Sequence, residues 1–378
     1  MTSRAAVHTE GQMLAQRREA RLRAMCSLSG MQLYAQIAVG LSLYLYDHVS
    51  TPGYLSLLLM LPYMALLCIL ARYIQMKTAN SDDPFTFTLG KRAGRMTLLP
   101  LILLHLLDAQ LLFFSLCAIA GDVMPDMSPM GVALCIALVT ALVLGEKKAG
   151  LALPRMAHLL RWLIAAMLGY CMLSAIPHGS AAHFFPLLGY GPGRILRGCL
   201  WMCGTAAGSV WPMLTPGTSD ARERANGRQL FPALLRGLGA SVITILFSVW
   251  LMPVYFMARP ETLGWRMLVL TNMTPSVAAW SLEVMGLMLL MLLCLSASVH
   301  QAAVLAARCA GSQRASRFLA PGFLLLLVPA GALALPQVQQ FLMDVAPWRG
   351  AVSLAVLLSM AVGARLKKKK APRKEEAA

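Results

Sequence analysis

Ten stretches of the chain are long and apolar enough to belong inside a bilayer, and that leaves few folds open. A spanning helix needs about 20 mostly apolar residues. Stretches that fit run roughly 29–47, 53–74, 97–120, 129–145, 156–176, 195–214, 231–257, 276–305, 318–336 and 348–366. In hydrocarbon every backbone N–H and C=O must find a partner, which leaves helices or a closed barrel. Stretches of this length are helices. Of the 378 residues, 58% are hydrophobic and 13% charged, with a mean hydropathy of +0.65. Soluble domains carry about 25% charged residues, so water is not the main solvent. The loops are too short to hold a folded domain, and no extramembrane enzyme module fits between the spans.

The basic residues test this reading. The net charge is +17, which on its own would suit a nucleic-acid partner, but the charge falls between apolar runs and not in one patch. With the N-terminus inside, 28 of the 33 lysines and arginines fall in cytoplasmic segments. Only Arg194, Arg197, Arg259, Arg266 and Arg349 fall outside. A missed or extra helix would scramble such a split, which follows the positive-inside bias. Residues 1–26 read as a basic cytoplasmic tail with no cleavable signal. Residues 367–378, with the run Lys367 to Lys370, read as a second basic tail suited to anionic lipid headgroups. Trp211, Trp250, Trp265, Trp280 and Trp348 sit near expected span ends, as interfacial anchors do.

Nothing resembles a catalytic set. There is no phosphate-cradling glycine loop and no His/Cys cluster with metal-ligand spacing. The nine cysteines are scattered, mostly inside apolar runs where a thiol acts as a small hydrophobe. Cys199 and Cys203 are the one close pair and have no histidine nearby. The sequence therefore implies neither an enzyme, nor a metal, nor a cofactor.

Function is expected where hydrophobicity is interrupted. The sixth stretch carries Gly204, Thr205, Gly208, Ser209 and Pro212. Its small residues fit two readings: a close helix–helix contact, or an unwound middle whose free backbone groups hold a ligand. The first stretch carries Gly30, Gln32, Gln36, Gly40 and Ser42. Ten helices divide as five plus five, and an odd number per half forces the second half to be inverted. Paired interruptions in helices 1 and 6 of an inverted repeat point to a midplane site. The repeats would run 27–176 and 195–366, together a transmembrane domain over 27–366. Two acids stand inside stretches. Asp108 lies deep in the third, with His105 one turn earlier on the same face. Glu283 lies two turns into the eighth, ahead of Ser296, Ser298, His300 and Gln301. Asp108 is either a structural hydrogen-bonding group or a proton-linked one. Glu283 is either an interfacial snorkelling residue or a functional one. His158 and Arg161 mark the inner end of the fifth stretch.

Several segments resemble the spore-germination permeases, the B subunits of nutrient germinant receptors in the amino acid–polyamine–cation superfamily. Leu28-Ser29-Gly30-Met31-Gln32-Leu33 is similar to that family's opening motif. Leu89-Gly90-Lys91 with Gly94-Arg95 resembles its Leu-Gly-Lys-x-x-Gly-Lys signature, and Phe185-Pro186 followed by Ile195 to Gly198 its approach to helix 6. The resemblance covers roughly residues 27–310. Where the family has Pro-Phe-Gly-Glu in helix 6, this chain has Ala206-Ala207-Gly208-Ser209; Trp280-Ser281 stands where helix 8 has a Glu-Arg pair.

The resemblance implies an all-α polytopic membrane protein of about ten helices, with a LeuT-like five-plus-five inverted repeat and discontinuous helices 1 and 6. It implies a small nutrient, an amino acid first, bound by Gly40, Ser42, Gly204, Thr205, Gly208 and Ser209. Helices 3, 4, 8 and 9 would form a scaffold against which the helix 1/6 bundle moves. His105, Asp108 and Glu283 would be the candidates for ion or proton coupling. The partners implied are the lipid bilayer, a soluble-domain receptor subunit and a lipoprotein; the place implied is a bacterial inner, or spore inner, membrane. The alternatives are a proton- or ion-coupled secondary transporter of amino acids and a non-transporting anchor subunit.

Overall fold

The computed structural model describes residues 19–41, 49, 53–78, 81, 83–146, 149–185, 189–214, 229–251, 277–312, 315–332 and 336–370. Among them there is no strand, and a helix falls in each of the ten expected stretches. Helix 1 covers residues 19–41, α-helical to 34 and π-helical over Ala35–Leu41. Helix 2 is Gly53–Lys77, interrupted at Met60 where Pro62 cannot donate to the preceding turn. Helices 3, 4 and 5 are Leu98–Val123, Pro129–Gly145 and Ala149–Ala175. Helix 6 is Pro192–Val210, with a tighter 3-10 turn at Trp211–Met213. Helices 7 to 10 are Leu230–Leu251, Val277–Cys309, Ser316–Ala332 and Pro336–Lys370. Among the described residues six helical stretches are long and apolar enough to cross a membrane by themselves, in helices 2, 3, 5, 7, 8 and 10.

Three expected boundaries move. Helix 1 reaches back to residue 19, into the expected tail, and buries Leu22, Ala24, Met25 and Cys26. Helix 10 begins at Pro336, not near 348, because Pro347 is accommodated inside it. Helix 6 is not unwound at Gly204 to Ser209: it stays α-helical through Val210, and the change of geometry comes one turn later at Pro212. Thus helices 1 and 6 both depart from regular α geometry, one by a wide turn and the other by a tight one.

Two apolar cores divide the molecule. One is built mainly from helices 1, 2, 6, 7 and 10 around Trp211, Met64 and Leu67. The other is built from helices 3, 4, 5, 8 and 9 around Phe113, Leu290 and Met291. Helix 3 packs along helix 8 and helix 4 along helix 9, the pairing an inverted repeat gives to corresponding helices. Helix 1 contributes to both cores: Leu33 and Ile37 to the first, Tyr34, Ala35 and Ala38 to the second. The outer faces remain apolar, with Leu134, Leu138 and Leu142 on helix 4 and Leu159, Trp162 and Leu163 on helix 5 exposed. Such rows would be a liability in water and are the expected lining of a lipid-facing surface.

Small residues set the close contacts. Gly30 of helix 1 and Gly237 of helix 7 meet backbone to backbone, and a carbon added to Gly237 would run into the Gly30 carbonyl oxygen. The Leu89-Gly90-Lys91 segment forms the corner between two short helices, Pro84–Leu89 and Lys91–Met96. Gly90 has φ +84, where a side chain is strained, and Gly94 packs against the Phe85 carbonyl. This corner sits against helix 10, with Lys367 over the Phe87 ring at 5.0 Å.

The helix 1–7 contact can be tested directly. Gly237→Val should lower stability by about 1–3 kcal/mol through overpacking. Gly239→Ala, whose added carbon meets open space, should leave the melting temperature in detergent unchanged or raised.

Candidate functional site

Polar side chains gather at the seam between the two cores, where helix 1 passes between them. Its π-helical segment Ala35–Leu41 touches helices 3, 6, 7 and 8. A π turn leaves a backbone group out of the usual ladder and widens the helix, a feature common at functional sites. Beside it, Tyr34 Oη lies 3.2 Å from Thr244 Oγ1 of helix 7, and Gln32 Nε2 donates to Ser298 Oγ of helix 8 at 3.4 Å. Gln32 and Gln36 are both almost fully buried, and the Oε1 atom of each has no hydrogen-bond partner among the described residues. Gly40 lies within the π segment. Ser42 lies outside the described residues, as does the side chain of Glu283.

Helix 3 supplies the charge. Asp108 is 1% exposed and pairs with Arg349 of helix 10, itself 3% exposed. Gly208 of helix 6 lies directly over the pair: a carbon added there would collide with Asp108 Oδ2. The glycine is needed because the carboxylate occupies the space a side chain would fill. One turn before Asp108, His105 is buried with no partner for Nε2 among the described residues.

The sequence reading placed Arg349 outside the membrane, and the structure overturns that. Arg349 was counted with the external charges because the last stretch was expected to begin at 348. Helix 10 begins twelve residues earlier, so the arginine sits inside the packed interior. The missed signal was available: a carboxylate deep in helix 3 needs a cation, and Arg349 was a lone basic residue at the edge of an apolar stretch.

The remaining expected site residues fall into two groups. Gly204 is occupied by packing: a carbon there would meet the Ala346 carbonyl, and Gly350 lies against its backbone N. Thr205 Oγ1 donates back to the Trp201 carbonyl at 3.1 Å. Ser209, next to Gly208, is fully buried and its Oγ has no partner among the described residues. Helix 10 is further held by Tyr63 Oη donating to the Gly350 carbonyl at 2.8 Å and by Trp211 Nε1 donating to Ser353 Oγ at 3.1 Å. On helix 8, Ser296 Oγ donates to the Leu292 carbonyl, whereas Gln301 Oε1 is buried without a partner among the described residues. Cys199 and Cys203 are buried and unlinked, and no cluster of metal-ligating side chains occurs among the described residues.

No family model and no curated protein matches this chain. Among solved structures it is similar to Mhp1, a nucleobase-cation-symport-1 family transporter in a closed conformation with bromovinylhydantoin bound. The TM-score is 0.53 at 13% identity, over 93% of this chain and 91% of that one. At this identity the likeness speaks for the fold: a polytopic all-α membrane protein of the expected LeuT-like architecture.

The ion pair gives a clear expectation. Asp108→Asn or Arg349→Gln alone should each cost about 3–5 kcal/mol, since each leaves one buried group uncompensated. The double change Asp108→Asn with Arg349→Met should recover most of that loss in thermal unfolding, a coupling that independent sites would not show.

Proposed function

We propose that this chain is a permease-type protein that binds a small polar solute at the seam of helices 1, 3, 6 and 8, and carries it across the membrane. The observation that supports this most is the set of buried polar atoms there without a partner among the described residues: Oε1 of Gln32 and Gln36, Nε2 of His105 and Oγ of Ser209. Each such group costs about 1–3 kcal/mol when left unmade, and a membrane interior has little water to relieve it. Three of the four are oxygens able to accept, so the complementary solute carries N–H donors. An α-amino acid fits, with its ammonium toward the glutamine oxygens. The π turn at Ala35–Leu41 adds backbone groups freed from the usual ladder. The likeness to Mhp1 supports a carrier, and bundle movement against the helix 3/4/8/9 scaffold would give alternating access. The positive-inside count favours both termini in the cytoplasm.

A second reading is a sensor, the germinant-receptor subunit that the resemblance implies, acting with a soluble-domain subunit and a lipoprotein. The Asp108–Arg349 pair favours it over a proton-coupled carrier. A carboxylate held by an arginine is not the free titrating group that proton coupling needs, and the pair ties helix 3 of the scaffold to helix 10.

Purified protein in detergent should be stabilised by one class of solute when challenged with amino acids, nucleobases and sugars. At 100 times the Kd, one site adds about 2.7 kcal/mol, and Gln36→Leu should abolish the effect while leaving the apo melting temperature nearly unchanged. Stabilisation by no class would count against a solute site. Proteoliposomes then separate the readings: a carrier accumulates the stabilising solute, whereas a sensor binds it without net uptake.

A further inference from the structure

A cavity of about 330 Å³ opens between helices 1, 5 and 7, running from a basic end to Tyr34 and Thr244 beside the seam, and its composition is divided along its length. Most of its wall is apolar, including Trp162, Leu168, Met172 and Ile243, and Gly169 leaves space in it. One end is basic. There Arg161 Nη1 donates to Ser27 Oγ at 2.9 Å, and the same oxygen donates to the Arg23 carbonyl at 2.8 Å and lies 3.2 Å from His158 Nδ1. Arg236 lines the same cavity from helix 7, its Nε donating to the Pro232 carbonyl at 3.1 Å.

The described residues give neither Arg161 nor Arg236 an anion, and Arg161 Nε is buried without a partner among them. Trp162, beside them, is 70% exposed on the outer face and lies under the Arg161 guanidinium at 5.0 Å. A tryptophan so placed is an interfacial anchor. Arg161 and Arg236 each lie about a turn and a half inside the inner ends of their apolar stretches, and Ser27 lies at the edge of the first. Two helices thus bring positive charge, and the third a hydroxyl, to one depth, above an apolar groove open to the side of the molecule.

We propose that this groove is a binding site for an anionic phospholipid of the inner leaflet, with its phosphate between Arg161 and Arg236 and an acyl chain along the wall formed by helices 5 and 7. Basic pockets between membrane helices on the cytoplasmic side suit anionic headgroups, and the elongated apolar wall suits a chain better than a compact solute. The site rests on the proposed orientation, but not on the seam's binding a solute. Because Gly30 and Gly237 also line the groove, its occupant would brace the helix 1–7 contact. Tyr34, at its deep end, adjoins the π segment.

The test is native mass spectrometry of the purified protein in mixed micelles of phosphatidylglycerol and phosphatidylcholine. Retention of the anionic lipid should exceed that of the zwitterionic one by roughly 30-fold, the effect of two arginines on one headgroup. Arg161→Gln with Arg236→Gln should bring the preference close to unity. Gly169→Phe, a position with open space for an added carbon, should reduce retention of both lipids without changing charge. Replacing Lys367 to Lys370 by glutamine should leave the preference in place. Equal retention of the two lipids by the native chain, or a preference that survives the double arginine change, would overturn the proposal. So would a preference that disappears only with the tail lysines.

Discussion

The buried pair of Asp108 and Arg349 is the constraint around which the interior is arranged. Two charges cannot stay at that depth apart, so helices 3 and 10 must meet there. Helix 6 must pass over the carboxylate without a side chain, which is the place of Gly208. Helix 10, once brought in, lies so close to helix 6 that Gly204 and Gly350 are required on the facing surfaces. The glycines of helix 6 thus belong first to packing, and the polar atoms at the seam are those for which a ligand is proposed.

That division explains how a mostly apolar protein keeps a polar site. The two cores are separately well packed, and helix 1 is shared between them. Its π segment lies where the two cores meet, with Ala35, Gln36, Ile37 and Ala38 all buried. A regular α-helix would direct its polar residues with a fixed period. With that period Gln32 and Gln36, four residues apart, share one face and both remain inside, and the wide turn at Ala35–Leu41 begins between them.

Much of this was legible in the sequence, for physical reasons that differ by feature. The ten helices followed from the length of apolar runs, because the bilayer sets that length. Helices 3, 4, 8 and 9, grouped by the resemblance, pack together in one core, and of the motifs that carried it Leu89-Gly90-Lys91 has its glycine at a positive-φ corner. What could not be read was which small residues serve packing and which serve a site. Gly204 and Gly208 look alike in the sequence, and only the positions of Ala346 and Asp108 distinguish them. Arg349 was misplaced for a related reason: a proline at 347 reads as a helix boundary, yet tertiary packing holds the helix together through it. Gln32 and Gln36 were visible as polar residues in an apolar stretch, but their missing partners became apparent only with the neighbours in place.

The central claim is that the seam at the π segment takes up a small polar solute. Hydrogen–deuterium exchange of the purified protein, with and without a mixture of the twenty amino acids, tests it most directly. The account predicts slower exchange over residues 29–41 and 204–213 in the presence of the mixture, with the outer faces of helices 4 and 9 unchanged. Unchanged exchange in both segments, with protection appearing elsewhere or nowhere, would contradict it.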